Sequence, residues 1–199
     1  MLNGVMAMIK LFMAGVWGYL LGALPTGVLV TRALRGVDVR QHGSGHTGGL
    51  NVVRVAGFWA GAFTAIVDAL LGLAAVAGAA LFTDNPWAAT VAGVMAVVGH
   101  DWSVFIRFGG GIGISTVAGA LLVLSPLRTL GAVVTLVLFW LILVKLLHVH
   151  RARSTIVALA VAGPLLWALG VPPHGIVLGV LGGAVVIVKT LPDWNRQYE

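Results

Sequence analysis

Cysteine is absent from the 199-residue chain, so a disulfide framework, a thiolate nucleophile and a Cys-ligated metal are all excluded. Charge is nearly as scarce. Only 9% of residues are Asp, Glu, Lys or Arg, against about a quarter in an ordinary soluble domain. Ser/Pro-rich linkers, low-complexity tracts and long hydrophilic segments are also missing, so residues 1–199 read as one domain. Aromatic and basic residues do not interleave in the way that stacks bases, which leaves no signal for nucleic acid.

What fills the chain is apolar. Hydrophobic residues make up 59%, and mean hydropathy is +1.04. They come in long runs, and a helix that is apolar on every face belongs in lipid. The expected fold class is an all-α integral membrane protein, a bundle of about seven transmembrane helices. The runs cover residues 11–30, 60–81, 87–98, 113–124, 130–147, 156–170 and 175–188, separated by turn signals such as Asp84-Asn85-Pro86 and Val171-Pro172-Pro173. The first reads as a retained helix, since no small-residue cleavage pattern follows it. The third and fourth are short against the roughly 20 residues of a spanning helix. A five-span arrangement with that pair re-entrant is the alternative.

Lys and Arg accumulate in cytoplasmic loops. With seven spans, one side receives Arg32, Arg35, Arg40, Arg54, Arg107, Lys145, Arg151, Arg153, Lys189 and Arg196, and the other only Lys10 and Arg128. That asymmetry puts the N-terminus outside and the C-terminus in the cytoplasm. Attraction to anionic membrane lipids accounts for the basic balance. Trp87, Trp102 and Trp194 read as interfacial anchors.

Two unusual segments lie on the basic side: HGSGHTGGLNVVR, residues 42–54, and GHDWSVFIRFGGGIGIST, residues 99–116. Glycine permits positive φ, so that successive amides can converge on an anion beside a helix N-terminus. Arg54 and Arg107 add fork-shaped cations that match phosphate, and Ser44, Ser115 and Thr116 add hydroxyls. Glycine clusters also arise from close helix packing. Here, however, two loops with Arg and hydroxyl residues share one face, which favours one or two phosphorylated ligands at the membrane surface. Neither loop is a Walker A sequence, because no Gly-Lys-Ser/Thr follows. His42/His46 and His148/His150 have metal-like spacing but no third ligand, so no metal is expected. Asp68 is an acid inside a span and therefore a functional candidate, with Arg54 or Arg107 as possible partners.

These residues resemble the acyl-phosphate glycerol-3-phosphate acyltransferase (PlsY) family. Gly43, Ser44, Gly45, Gly48, Asn51, Arg54 and Gly57 match its first motif, GSGNxGATNVxRxxG. Gly99, His100, Phe105, Phe108, Gly110, Gly111, Gly113 and Thr116 match its second, GHxxPxFxxFxGGKGVAT. Asp68 and Gly72 fit a DxxKG element, and Asn195 with Arg196 fits HxxNIxR more loosely. The chain departs from these patterns at Ile112 and Leu71, where the family has lysines, and at His46, Leu50, Ser103 and Pro192.

The resemblance implies a multi-pass, monomeric enzyme of the bacterial inner membrane, with its active face cytoplasmic and no cofactor. Its substrates would be acyl phosphate and glycerol 3-phosphate, and its product lysophosphatidic acid. His100, Arg107 and Ser44 are the expected catalytic residues. Gly43, Gly45, Gly48, Asn51, Arg54, Gly110, Gly111, Gly113, Ser115, Thr116 and Asn195 are the expected phosphate- and substrate-binding set. Asp68 and His46 are structural or unassigned. The other reading is a relative that has lost catalysis with its lysines and binds or carries phosphorylated lipids or other anions.

Overall fold

In the computed structural model, which describes residues 2–196, nearly every apolar run is helical. The helices are α1 (Leu2–Gly22), α2 (Thr26–Arg35), α3 (Gly49–Ala56), α4 (Phe58–Ala79), α5 (Pro86–Asp101), α6 (Ile114–Leu124), α7 (Pro126–Leu141), α8 (Arg151–Ala160), α9 (Ala162–Ala168) and α10 (Pro173–Thr190). A π turn, Ile142–Leu146, extends α7, and a 3₁₀ turn, Leu191–Asp193, follows α10.

Two of the expected runs are interrupted. The stretch 11–30 breaks at residues 23–25, because Pro25 has no amide hydrogen to carry the ladder on; α2 then restarts at Thr26. The stretch 156–170 is divided at Val161 into α8 and α9. Four segments among the described residues are long and apolar enough to cross a membrane: Leu2–Arg35, Phe58–Ala79, Pro126–Leu146 and Pro173–Asp193. Helices α5 and α6, with 16 and 11 residues, are the short pair that the sequence marks.

The packing is that of a membrane bundle. Alanines fill the tightest interior positions, Ala14, Ala75, Ala92, Ala96 and Ala120 being fully buried, while Trp59, Leu81, Leu127 and Trp167 lie on the outside. Where hydrocarbon surrounds the helices, close backbone contact drives association, and small residues permit it. A Cβ on Gly22 would stand 1.9 Å from the Ala96 carbonyl oxygen, and one on Gly119 would stand 1.9 Å from that of Ala69. These contacts lock α1 to α5 and α4 to α6.

The bundle has two different ends. At one, the α6–α7 and α9–α10 turns meet where Arg128 Nη1 donates to the Gly170 carbonyl. At the other, the α2–α3, α5–α6 and α7–α8 connections and the segment after α10 converge, and both glycine loops are there.

Candidate active site

The first glycine loop is organised by one side chain. Asn51, on the first turn of α3, accepts the Ser44 amide at 3.0 Å, while its Nδ2 donates to the carbonyls of Val39 (3.1 Å), His42 (2.9 Å) and His46 (2.9 Å). Gly43 and Gly45 turn the chain with φ of 54° and 75°. A Cβ on Gly43 would sit 2.4 Å from Asn51 Oδ1, so the hub and the glycine need each other. On the outer side, Arg40 grips Asp38 through Nε at 2.9 Å and Nη2 at 2.7 Å. Those hydrogen bonds hold the Asp38 carboxyl well below the usual carboxylate range.

The second loop is organised by its backbone. Ser103 N donates to Gly109 O, the Ser103 hydroxyl donates to Ala23 O at 2.5 Å, and Gly111 N donates to His100 O at 3.0 Å. A proline at 103 would lack both the amide hydrogen and the hydroxyl, so this departure from the family pattern has a structural use. Cβ atoms on Gly110 and Gly111 would stand 2.2 Å from His100 O and 2.0 Å from His100 Nε2. The run can therefore lie against the end of α5 only as glycine.

The loops are joined. Thr47 N donates to Gly110 O at 3.2 Å, and Arg40 Nη1 donates to Ile106 O at 2.9 Å. Between them opens a cavity of about 270 Å³ lined by Ser44, His46, Gly48, Gly49, Leu50, Asn51, Arg54, Asp68, His100, Ile112, Gly113, Ile114, Ser115, Trp140, Arg151, Ala152, Thr155, Thr190 and Asp193. Gly113, Ile114 and Ser115, at the start of α6, form part of the wall, and the first amides of a helix favour an anion. Arg54 and Arg151 supply the cationic side chains. A second, almost wholly apolar groove of about 210 Å³ runs along α6, α7, α8 and α9 and shares Ile114, Trp140 and Thr155 with the cavity. Trp140 Nε1 donates to Thr155 Oγ1 at 3.1 Å where the two meet.

The expected site residues divide accordingly. Ser44, His46, Gly48, Asn51, Arg54, Asp68, His100, Gly113 and Ser115 line the cavity. Arg107 does not: it closes the short 104–106 turn at φ 58° and is exposed, because the 103–109 hairpin carries it outward. Gly110 and Gly111 lie beneath the lining, and the Gly111 amide is spent on His100, so neither offers the anion nest expected of it. Asn51 lines the cavity, but its amide is committed to the loop. Gly43 lines a shallow surface hollow with Arg35, His42 and Arg54, and Gly45 only turns the chain. Thr116 is buried, and among the described residues its hydroxyl has no hydrogen-bond partner. Asn195 accepts from Arg153 Nη2 outside the cavity.

Among the described residues Asp68 forms no ion pair with Arg54 or Arg107, although Arg54 lines the same cavity. Its Oδ1 is 3.8 Å from His100 Nδ1. His46, unassigned from the sequence, is partly buried with its Nε2 2.5 Å from Asp193 Oδ2. Arg151, Trp140, Thr155, Thr190 and Asp193 were not anticipated from the sequence. Arg151 begins α8 in a run, Arg-Ala-Arg, that reads from sequence as topological charge alone.

A helical bundle whose cationic cavity adjoins an apolar groove suits a membrane protein that handles amphiphilic anions. A family profile described as glycerol-3-phosphate acyltransferase matches residues 12–198. The curated glycerol-3-phosphate acyltransferase of Rubrobacter xylanophilus is 40% identical over 171 residues, 85% of this chain and 82% of that protein. That of Rippkaea orientalis is 36% identical over 192 residues, 91% and 86% of the two chains. The crystal structure of PlsY (YgiH), an integral membrane glycerol 3-phosphate acyltransferase, in its glycerol 3-phosphate form has a TM-score of 0.78 at 29% identity, covering 94% of this chain and 90% of that one. Its lysophosphatidic acid form gives 0.76 at 28% identity, with the same coverage. The chain belongs to the glycerol-3-phosphate acyltransferase family and is a multi-pass membrane acyltransferase.

Proposed function

We propose that this protein moves a fatty acyl group from acyl phosphate to the first hydroxyl of glycerol 3-phosphate, releasing lysophosphatidic acid and inorganic phosphate. The observation that carries this reading is that the cationic cavity and the apolar groove lie side by side, with Ile114, Trp140 and Thr155 on the walls of both. Two such neighbouring spaces suit a wholly polar substrate and one with a phosphate head and an apolar tail. The PlsY forms similar to this chain are those with glycerol 3-phosphate and with lysophosphatidic acid.

Arg54, beside Ser44 on the first-loop side, holds the phosphate of glycerol 3-phosphate. Arg151, one turn before Thr155 at the groove mouth, and the first amides of α6 hold that of the acyl donor. Acyl phosphate is already activated, so a covalent Ser or Cys intermediate is unnecessary; positioning and charge stabilisation carry most of the rate. His100, between Asp68 and Gly111, braces the second loop. No cofactor enters this scheme. The protein acts as a monomer crossing a bacterial inner membrane seven times, α8 and α9 forming one pass, and the ten basic residues at the cavity end face the cytoplasm.

Purified protein in detergent is to be given acyl phosphate and glycerol 3-phosphate, separately and together. Phosphate release that needs both, with lysophosphatidic acid seen by mass spectrometry, is the expected result. Tight binding without turnover supports instead the relative that binds or carries phosphorylated lipids.

A further inference from the structure

The apolar groove beside the cavity has a mouth and a floor. Ile114, Trp140 and Thr155 form the mouth, on the side shared with the cavity. There the Thr155 hydroxyl accepts from Trp140 Nε1 at 3.1 Å and donates to the Arg151 carbonyl at 3.0 Å, so the polar groups of the junction are spent on each other. Leu121, Thr129, Leu166 and Gly179 line the far end. Thr129 turns its hydroxyl to the Leu121 carbonyl at 3.0 Å, which leaves that end apolar as well. A Cβ on Gly179 would stand 2.3 Å from Leu166 Cδ1, so the glycine makes room for the leucine that closes the floor.

Depth follows from the helices. Trp140 and Thr129 are eleven positions apart on α7, and Thr155 and Leu166 are eleven apart across α8 and α9. At about 1.5 Å per residue each wall is about 16 Å long. The hydrocarbon core of a bilayer is about 30 Å thick, so an acyl chain rooted among one leaflet's headgroups reaches about 15 Å. The two lengths agree. The groove also lies within the bundle: Leu121, Ala132, Ala158, Ala162 and Leu166 on its walls are buried, while Leu130, Val134 and Leu138 carry the exposed face of α7.

We infer that the groove takes the donor's acyl tail along its whole length, and that Leu121, Thr129, Leu166 and Gly179 set the longest chain accepted. The inference rests on the acyl-transfer reading above and adds to it the feature that selects among donors. A head held at Arg151 and the start of α6 fixes the first carbons, and a tail that meets the floor has no deeper place to go. Each further methylene must fold back or leave the groove, at a loss of about fourfold in binding.

Two substitutions move the limit in opposite directions. Val133→Phe, about two turns along α7 from Trp140, puts a ring across the groove and shortens it; Leu166→Ala opens the floor. kcat/KM is to be measured with lauroyl, myristoyl, palmitoyl and stearoyl phosphate. Relative to lauroyl phosphate, Val133→Phe should lose at least about tenfold on palmitoyl phosphate, and Leu166→Ala should gain about threefold or more on stearoyl phosphate. The KM for glycerol 3-phosphate should stay within about twofold of wild type in both. Lost stability lowers every chain length together and does not imitate opposed shifts. An unchanged chain-length profile in either folded variant overturns the inference; Ala162→Leu and Leu121→Ala pose the same pair if one of the first two fails to fold. Alkyl phosphates of the same lengths, which bind without transferring, are to be compared in parallel by the thermal midpoint they confer. The opposed shifts there, with a wild type that never turns over, keep the groove as the measure of tails and sink acyl transfer. Turnover by the wild type with no shift in the variants sinks the measure alone.

Discussion

The two glycine loops resemble each other in sequence and differ in construction. The first is held by a side-chain hub, Asn51, whose one amide gathers backbone from residues 39, 42, 44 and 46. It delivers side chains to the cavity: Ser44, His46 and Arg54. The second is held by backbone lying directly on the end of α5, where only glycine fits. It brings the start of α6, Gly113, Ile114 and Ser115, to the cavity, turns its one arginine outward, and puts an isoleucine, Ile112, on the cavity wall. Glycine thus has two uses within a few ångströms. Gly43 and Gly45 supply positive φ for a turn around Asn51, and Gly110 supplies the missing Cβ that lets the second loop's backbone touch the end of α5, while Gly113 enters α6 at φ 66°.

The sharpest way to break that contrast is Gly110→Val. Its Cβ would enter the 2.2 Å gap to His100 O and the 2.4 Å gap to Asp101 O, so the loop must lift. Displacing a positioning element by about 1 Å costs about 100-fold in rate, and kcat should fall at least that far. Steady-state kinetics on the monodisperse variant checks it; activity within threefold of wild type would mean that the second loop does not set the geometry.

A smaller effect is expected from the arginines. Arg151→Ala removes a charge-assisted contact of about 1.5–3 kcal/mol and should raise KM for acyl phosphate by about 10- to 100-fold. Arg107→Ala, outside the cavity, should change neither kinetic constant more than about twofold. The reverse pattern would restore Arg107 to the site. The smallest change, in the direction of gain, comes from Ile112→Lys. It gives the second loop a cationic side chain on the cavity wall and should strengthen phosphate binding or acyl transfer by about two- to tenfold. No change, or a loss, would show that Arg54 and Arg151 already meet the charge requirement.

Much of the fold was legible in advance because hydropathy is a local property. A run of apolar residues about 20 long has few options other than a membrane helix, and Pro86, Pro126 and Pro173 mark helix starts by their missing amide. The break at residues 23–25 was harder to see, since Pro25 lies inside an unbroken apolar run. The cavity was legible in part. Spacing within the two loops singled out Ser44, Arg54, His100, Gly113 and Ser115, all of which line it. Arg107 was misplaced for a physical reason: side-chain direction in a tight turn depends on φ, and sequence neighbours of a site residue need not share its face. Arg151 and Asp193 could not have been selected by local pattern, because what makes them site residues is the approach of α8 and the end of α10 to loops about 100 and 150 positions earlier.

By itself the amino-acid sequence determined the solvent this chain lives in, the helices it forms and the family to which its glycine motifs point, since each depends on composition or on spacing within a few turns. Only the tertiary structure decided which cations face the substrates, that Asn51 is a scaffold, and that His46 meets a carboxylate. Those outcomes depend on the directions in which side chains leave helices packed from distant parts of the chain, and no local spacing encodes a direction in space.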